Sequence, residues 1–128
     1  MNIGLLEDNP AILEYMTVAL EMAGHRVRAY TQGSSLLKTI FIGSDIQSPL
    51  PYDLLIVDLF LPGDLSGLEA IERIQQAIPL SELPTILISA GSQDELEQVQ
   101  KQLPGVPILR KPFKMNVLLE LVEGLKLT

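Results

Sequence analysis

Six polar side chains stand where short apolar runs end. Ile3–Leu6 stops at Glu7-Asp8, Leu54–Val57 at Asp58, Thr85–Ile88 at Ser89, and Val106–Leu109 at Arg110-Lys111. If Ile3–Leu6 and Leu54–Val57 are neighbouring strands, three carboxylates converge. Bare carboxylates that close repel one another, and one pKa rises unless a cation neutralises them. An oxygen-only donor set suits Mg²⁺ better than zinc or copper. Lys111 adds a second positive charge and Ser89 a hydroxyl. A carboxylate flanked by a metal ion, an ammonium and a hydroxyl can attack a phosphorus centre and form an aspartyl phosphate. Metal and ammonium would neutralise the equatorial oxygens, and positioning would do the rest.

The elements that must hold these groups alternate along the chain. Asn9 suits an N-cap and Pro10 the first helical position. Ile12, Met16, Ala19, Leu20 and Ala23 follow at helical spacing, and Gly24 suits the stop. Val27–Tyr30 reads as a second strand and Ser34–Ile42 as a second helix. Gly43–Pro51 reads as a polar surface loop. The unbroken run Leu54–Val57 fits a strand buried on both faces. Ser66 to Glu69 and Ser92 to Glu95 have the S-x-x-E pattern of capping boxes. They predict a third helix carrying Leu68, Ile71, Ile74 and Ile78, and a polar fourth helix over Gln93–Gln102. Phe113–Leu127 is the last helix. Five strands separated by helices imply a parallel sheet, right-handed crossovers and helices on both faces. A site in such a fold lies at the carboxyl ends of the strands.

Composition narrows the function. A chain of 128 residues reads as one domain, residues 1–128. Acidic residues exceed basic ones by 16 − 9 = 7, so a surface that binds nucleic acid is not expected. No apolar stretch is long enough to span a membrane. The absence of cysteine excludes disulfides and thiolate sites and suits a reducing cytoplasm. The single histidine, His25, reads as a surface residue near a helix end.

The motifs Glu7-Asp8, Asp58-Leu59-Phe60-Leu61-Pro62-Gly63, Ser89-Ala90 and Lys111-Pro112-Phe113 occur in this order, each at a strand end. Together they resemble the receiver domain of two-component response regulators, over essentially the whole chain. The resemblance implies a flavodoxin-like (βα)5 fold with a five-stranded parallel sheet of order 2-1-3-4-5. It implies transfer of a phosphoryl group from a histidine kinase or phosphotransfer protein onto Asp58. Mg²⁺ would be held by Glu7 or Asp8, by Asp58 and by the main-chain carbonyl of Phe60. Ser89 and Lys111 would contact the phosphoryl group. Output to a downstream protein, and any homodimer, would use the face of the fourth helix, fifth strand and fifth helix.

Two departures stand out. Members of this family often place a switch aromatic three residues before the lysine; here it is Ile108. The segment from Asp58 to Gly67 is one residue longer than the commonest pattern. Phe60 reads either as a loop anchor or as a ring over the phosphoryl group. Rival functions are a pseudo-receiver that keeps the fold without phosphoryl turnover, and an aspartyl-nucleophile phosphohydrolase. Haloacid dehalogenase-type enzymes carry a second Asp where this chain has Phe60. No Ser/Thr/Gly-rich loop follows the first strand, which argues against flavin. Nothing after the last helix suggests an output domain, so the chain reads as a stand-alone or excised receiver.

Overall fold

The apolar runs assemble into one sheet in the computed structural model, which describes residues 1–63, 65–79 and 81–126, with only the backbone of Lys126. The order of elements is β1 (Asn2–Leu6), α1 (Pro10–Met22), β2 (Arg26–Tyr30), α2 (Gly33–Ile40), β3 (Phe41–Ile42), β4 (Asp45–Ile46), β5 (Leu54–Asp58), α3 (Gly67–Ala77), β6 (Thr85–Ser89), α4 (Gln93–Gln102), β7 (Ile108–Arg110) and α5 (Met115–Lys126). The sheet runs β2-β1-β5-β6-β7, all parallel. With the hairpin β3–β4 set aside, this is the 2-1-3-4-5 order of a flavodoxin-like fold.

Alternate residues of the central strands supply two apolar layers, as a pleat requires. Leu6, Leu55, Val57 and Leu87 pack against α2, α3 and α4 through Leu36, Ile40, Ile71, Ile74, Leu96 and Val99. Ile3, Leu5, Leu54, Ile56, Ile86 and Ile88 pack against α1 and α5 through Met16, Leu20, Leu118 and Val122. Both faces are covered, which is why these strands show no polar alternation.

The helix starts form as their sequences predict. Asn9 Oδ1 accepts from the amides of Ala11 and Ile12 at 3.0 and 3.1 Å. Both capping boxes close, Ser66 with Glu69 and Ser92 with Glu95. Hydrogen bonds from the capping serine's amide and hydroxyl hold each glutamate below the usual carboxylate range.

Four expectations need correction. The segment after α2 is not wholly loop: α2 ends at Ile40, and Phe41–Ile42 pairs antiparallel with Asp45–Ile46 around Gly43-Ser44. Gly43 turns this two-residue connection at φ 65°, where a Cβ would be strained. His25 is not a surface residue but only 5% exposed. Its Nδ1 lies 3.1 Å from the Met1 amine and its Nε2 3.2 Å from Glu123 Oε1. The turn at Gly24 delivers it there, between the start of β1 and α5. The fifth strand begins at Ile108, not Val106, because Val106 is drawn into a turn whose carbonyl accepts from Gln100 Nε2. The last helix starts at Met115, and its expected end at Leu127 lies outside the described residues. No helix among the described residues is long and apolar enough to cross a membrane.

Candidate functional site

Parallel register brings the polar ends together. Leu6 pairs with Val57 and Asp58 with Ile88, so Glu7 and Asp58 leave adjacent strands side by side. The Glu7 amide donates to the Tyr30 carbonyl at 3.0 Å, and the Leu59 amide to the Ile88 carbonyl at 2.9 Å. The backbone at this edge is therefore held beyond the strands themselves.

One oxygen from each of Glu7, Asp8 and Asp58 lies within 4.8 Å of the others. Glu7 is fully buried, Asp58 is 4% exposed, and Asp8 is the most open of the three. Lys111 reaches across from the end of β7. Its Nζ donates to Glu7 Oε1 and, at 2.8 Å, to Asp58 Oδ2. The remaining oxygens are also engaged. Glu7 Oε2 accepts from the Asp8 amide at 2.9 Å, and Asp58 Oδ1 from the Phe60 amide at 3.2 Å.

Burial, then the adjacent Asp58, push the Glu7 carboxyl up to about 7, against the pull of Lys111. Burial alone would lower the Lys111 ammonium, but its hydrogen bonds to Asp58 and Glu7 raise it above the ordinary lysine value. A lone ammonium is thus shared by two buried carboxylates, with a third beside them. Three hard oxygen donors in excess of the nearby positive charge fit a small divalent cation.

Ser89 is fully buried, and its Oγ accepts from the Gly91 amide at 2.9 Å. Its carbonyl accepts from the Lys111 amide at 2.7 Å, which ties β6 to the lysine. Arg110 Nε donates to the Gly91 carbonyl at 3.2 Å and holds the same loop from β7. The Phe60 side chain is 43% exposed and does not enter the core. A Cβ on Gly91 would meet Phe60 Cε2 at 2.7 Å and Ser89 Oγ at 3.1 Å. The ring thus links the loop after Asp58 to the loop after Ser89.

Glu7, Asp8, Asp58 and Lys111 are brought together as expected, with Ser89 one strand further along. The roles of Gly67 and Gly91 were missed. A Cβ on Gly67 would overlap the Asp58 carbonyl oxygen. Glycine directly after a capping serine was the available signal, but nothing local says what the backbone approaches.

A parallel sheet of this order, with acidic side chains and a lysine at its carboxyl edge, defines the flavodoxin-like class. More narrowly, a family model described as the response regulator receiver domain matches residues 3–123, and the chain belongs to that family. The DNA-binding dual master transcriptional regulator RpaA of Synechocystis is 27% identical over 126 residues, covering 94% of this chain and 47% of that protein. The phosphate regulon transcriptional regulatory protein PhoB of Rhizobium meliloti is 31% identical over 124 residues, covering 96% and 51%. The chain thus spans about half the length of these two relatives. Among solved structures, the response regulator TrrA of Thermotoga maritima, in complex with Mg²⁺ and a beryllium fluoride, is 27% identical, with 97% of each chain covered and a TM-score of 0.76. A BeF3-activated DrrB receiver domain, 24% identical, covers 99% and 97% with a TM-score of 0.80 and supports the fold.

Proposed function

We propose that the chain is a phosphorylatable signalling switch whose acceptor is Asp58. The observation that carries this reading is Lys111 Nζ bridging Glu7 and Asp58 at the carboxyl edge of the sheet. An Asp58 oxygen attacks the phosphorus, and the bond from phosphorus to the donor breaks. The electron pair leaves with the imidazole of a kinase or phosphotransfer protein, or with acetate when acetyl phosphate is the donor. Glu7, Asp8, Asp58 and the Phe60 carbonyl would hold Mg²⁺, which when bound neutralises phosphoryl oxygens. Lys111 releases one carboxylate contact and turns its charge to the transferred group. Ser89 accepts from Gly91 and still has its own proton to donate to a phosphoryl oxygen.

Movement of Ser89 would draw on the loop that begins α4. That helix buries only Leu96 and Val99, so a shift disturbs little apolar contact. The face of α4, β7 and α5 is therefore the output surface toward a downstream protein, and the face for any homodimer. The chain acts as one receiver unit in the cytoplasm. Its own chemistry is limited to self-phosphorylation and autodephosphorylation.

Intact mass after incubation with acetyl phosphate and Mg²⁺ tests the reading. One added phosphoryl group is expected on the wild type and none on Asp58→Ala. Ile108, half-buried without a ring, favours the rival pseudo-receiver. An unmodified wild-type mass would decide for that rival.

A further inference from the structure

The hairpin β3–β4 takes no part in the main sheet, yet it walls a cleft. The other walls are α2 and α3, and the cavity measures about 700 Å³. Leu37 and Leu65, both buried, and the half-buried Phe41 supply apolar surface within it. Lys38 from α2 and Arg73 from α3 stand at its exposed rim, with Gln76 one turn beyond Arg73.

The charge at this cleft runs against that of the molecule. The chain carries a net −7, but no Asp or Glu among the described residues lines the cavity. Lys38 makes no ion pair among the described residues. Arg73 feels Glu69 one turn earlier, but that carboxylate accepts from the Ser66 amide. Two cations are thus left facing a partly apolar hollow. Its volume falls in the range of about 300–1,000 Å³ typical of small-molecule sites.

We infer that this cleft binds a small amphipathic anion. An apolar ring or chain rests on Leu37, Phe41 and Leu65, and a carboxylate, sulfonate or phosphate meets Lys38 and Arg73. Gln76 adds a hydrogen-bond donor and acceptor on the same side. A hollow walled on three sides holds such a ligand better than an extended peptide.

Amide chemical-shift titration of the whole chain tests this with two probes. One is 1-anilinonaphthalene-8-sulfonate; the other is N-phenyl-1-naphthylamine, which has the same rings and no charge. Shifts from the sulfonate should cluster on residues 34–44, 65 and 73–77. The sulfonate should bind at least about fivefold more tightly than the neutral amine, and less so as salt screens the pair. Lys38→Glu with Arg73→Glu should weaken it about tenfold or more, a difference of about 1.4 kcal/mol, while Lys38→Arg retains it. Lys38→Gln with Arg73→Gln gives a milder version of the same loss if charge reversal harms folding. Phosphorylation of Asp58 by acetyl phosphate should be unchanged in these variants. Shifts centred on the α5 face around Leu121, equal affinity for the neutral probe, or undiminished binding by both double variants would each overturn the inference.

Discussion

Asp8→Asn should stabilise the metal-free protein and weaken its response to Mg²⁺. Asp8 is the one member of the acidic cluster whose carboxylate accepts no hydrogen bond and no ammonium among the described residues. Its oxygens lie within 4.8 Å of those of Glu7 and Asp58. At that separation each like-charge pair costs about 0.9 kcal/mol in water and about 3.5 kcal/mol at an effective dielectric constant of 20. Asp8 opens to solvent, so the lower figure applies. Two such pairs cost about 2 kcal/mol, and attraction to Lys111 offsets roughly half, leaving about 1 kcal/mol. For a chain of this length that corresponds to about 4 °C in Tm. The gain depends on pH through Glu7, which holds its proton up to about 7 in the folded state against a usual value of 4.5. The folded chain therefore binds this proton more tightly than the unfolded one. Glu7's contribution to stability is full below 4.5 and lost as pH rises through about 7. Once Glu7 is ionised, the repulsion that Asp8→Asn removes is complete; with Glu7 protonated, about half of it is already gone. Urea unfolding in chelator at low ionic strength, on either side of pH 7, measures both effects. No gain above that pH, or Mg²⁺ stabilising the variant as much as the wild type, would refute the reasoning.

Other expectations follow from single contacts. Phe60→Asn and Phe60→Glu remove the ring beside Gly91 and Ser89 and add a polar group that can position water. Each should speed loss of the phosphoryl group several-fold, about 1 kcal/mol of barrier, measured by intact mass over time; unchanged or slower loss from both contradicts it. Gly67→Ala forces its methyl into the Asp58 carbonyl and should cost about 1–3 kcal/mol in denaturant unfolding, as overpacking does. Wild-type stability in that variant would mean the approach is not tight. Burial, with the Tyr30 hydroxyl 2.6 Å away, pushes the Tyr52 phenol up to about 12 despite its Thr39 contact. Its stabilising contribution is full below 10 and lost as pH climbs through about 12. Phenolate absorbance should show one tyrosine ionising late, and Tyr52→Phe should remove that step; an unchanged curve in the variant would place the late step elsewhere.

Much of the molecule was legible in the chain alone. The runs Leu54–Val57 and Thr85–Ile88, the capping pairs Ser66/Glu69 and Ser92/Glu95, and Asn9-Pro10 are local signals, and each produced the expected element within a residue or two. Because a parallel sheet puts every carboxyl end on one edge, the same reading placed Glu7, Asp8, Asp58 and Lys111 together. Groups joined only through space could not be read that way. His25 follows a helix-ending glycine, a pattern common at surfaces; its burial comes from the Met1 amine and Glu123, distant in sequence. The hairpin at Phe41–Ile46 pairs two strands of two residues each, Phe41 against Ile46 and Ile42 against Asp45, too brief to leave a period. Phe60 could have turned inward or toward Gly91, and only the neighbouring loop decided which. Residue types and spacing determined which groups meet at the sheet edge. Tertiary packing decided how one ammonium is divided between two buried carboxylates, because burial and hydrogen bonding depend on what every other strand and helix brings to the same place.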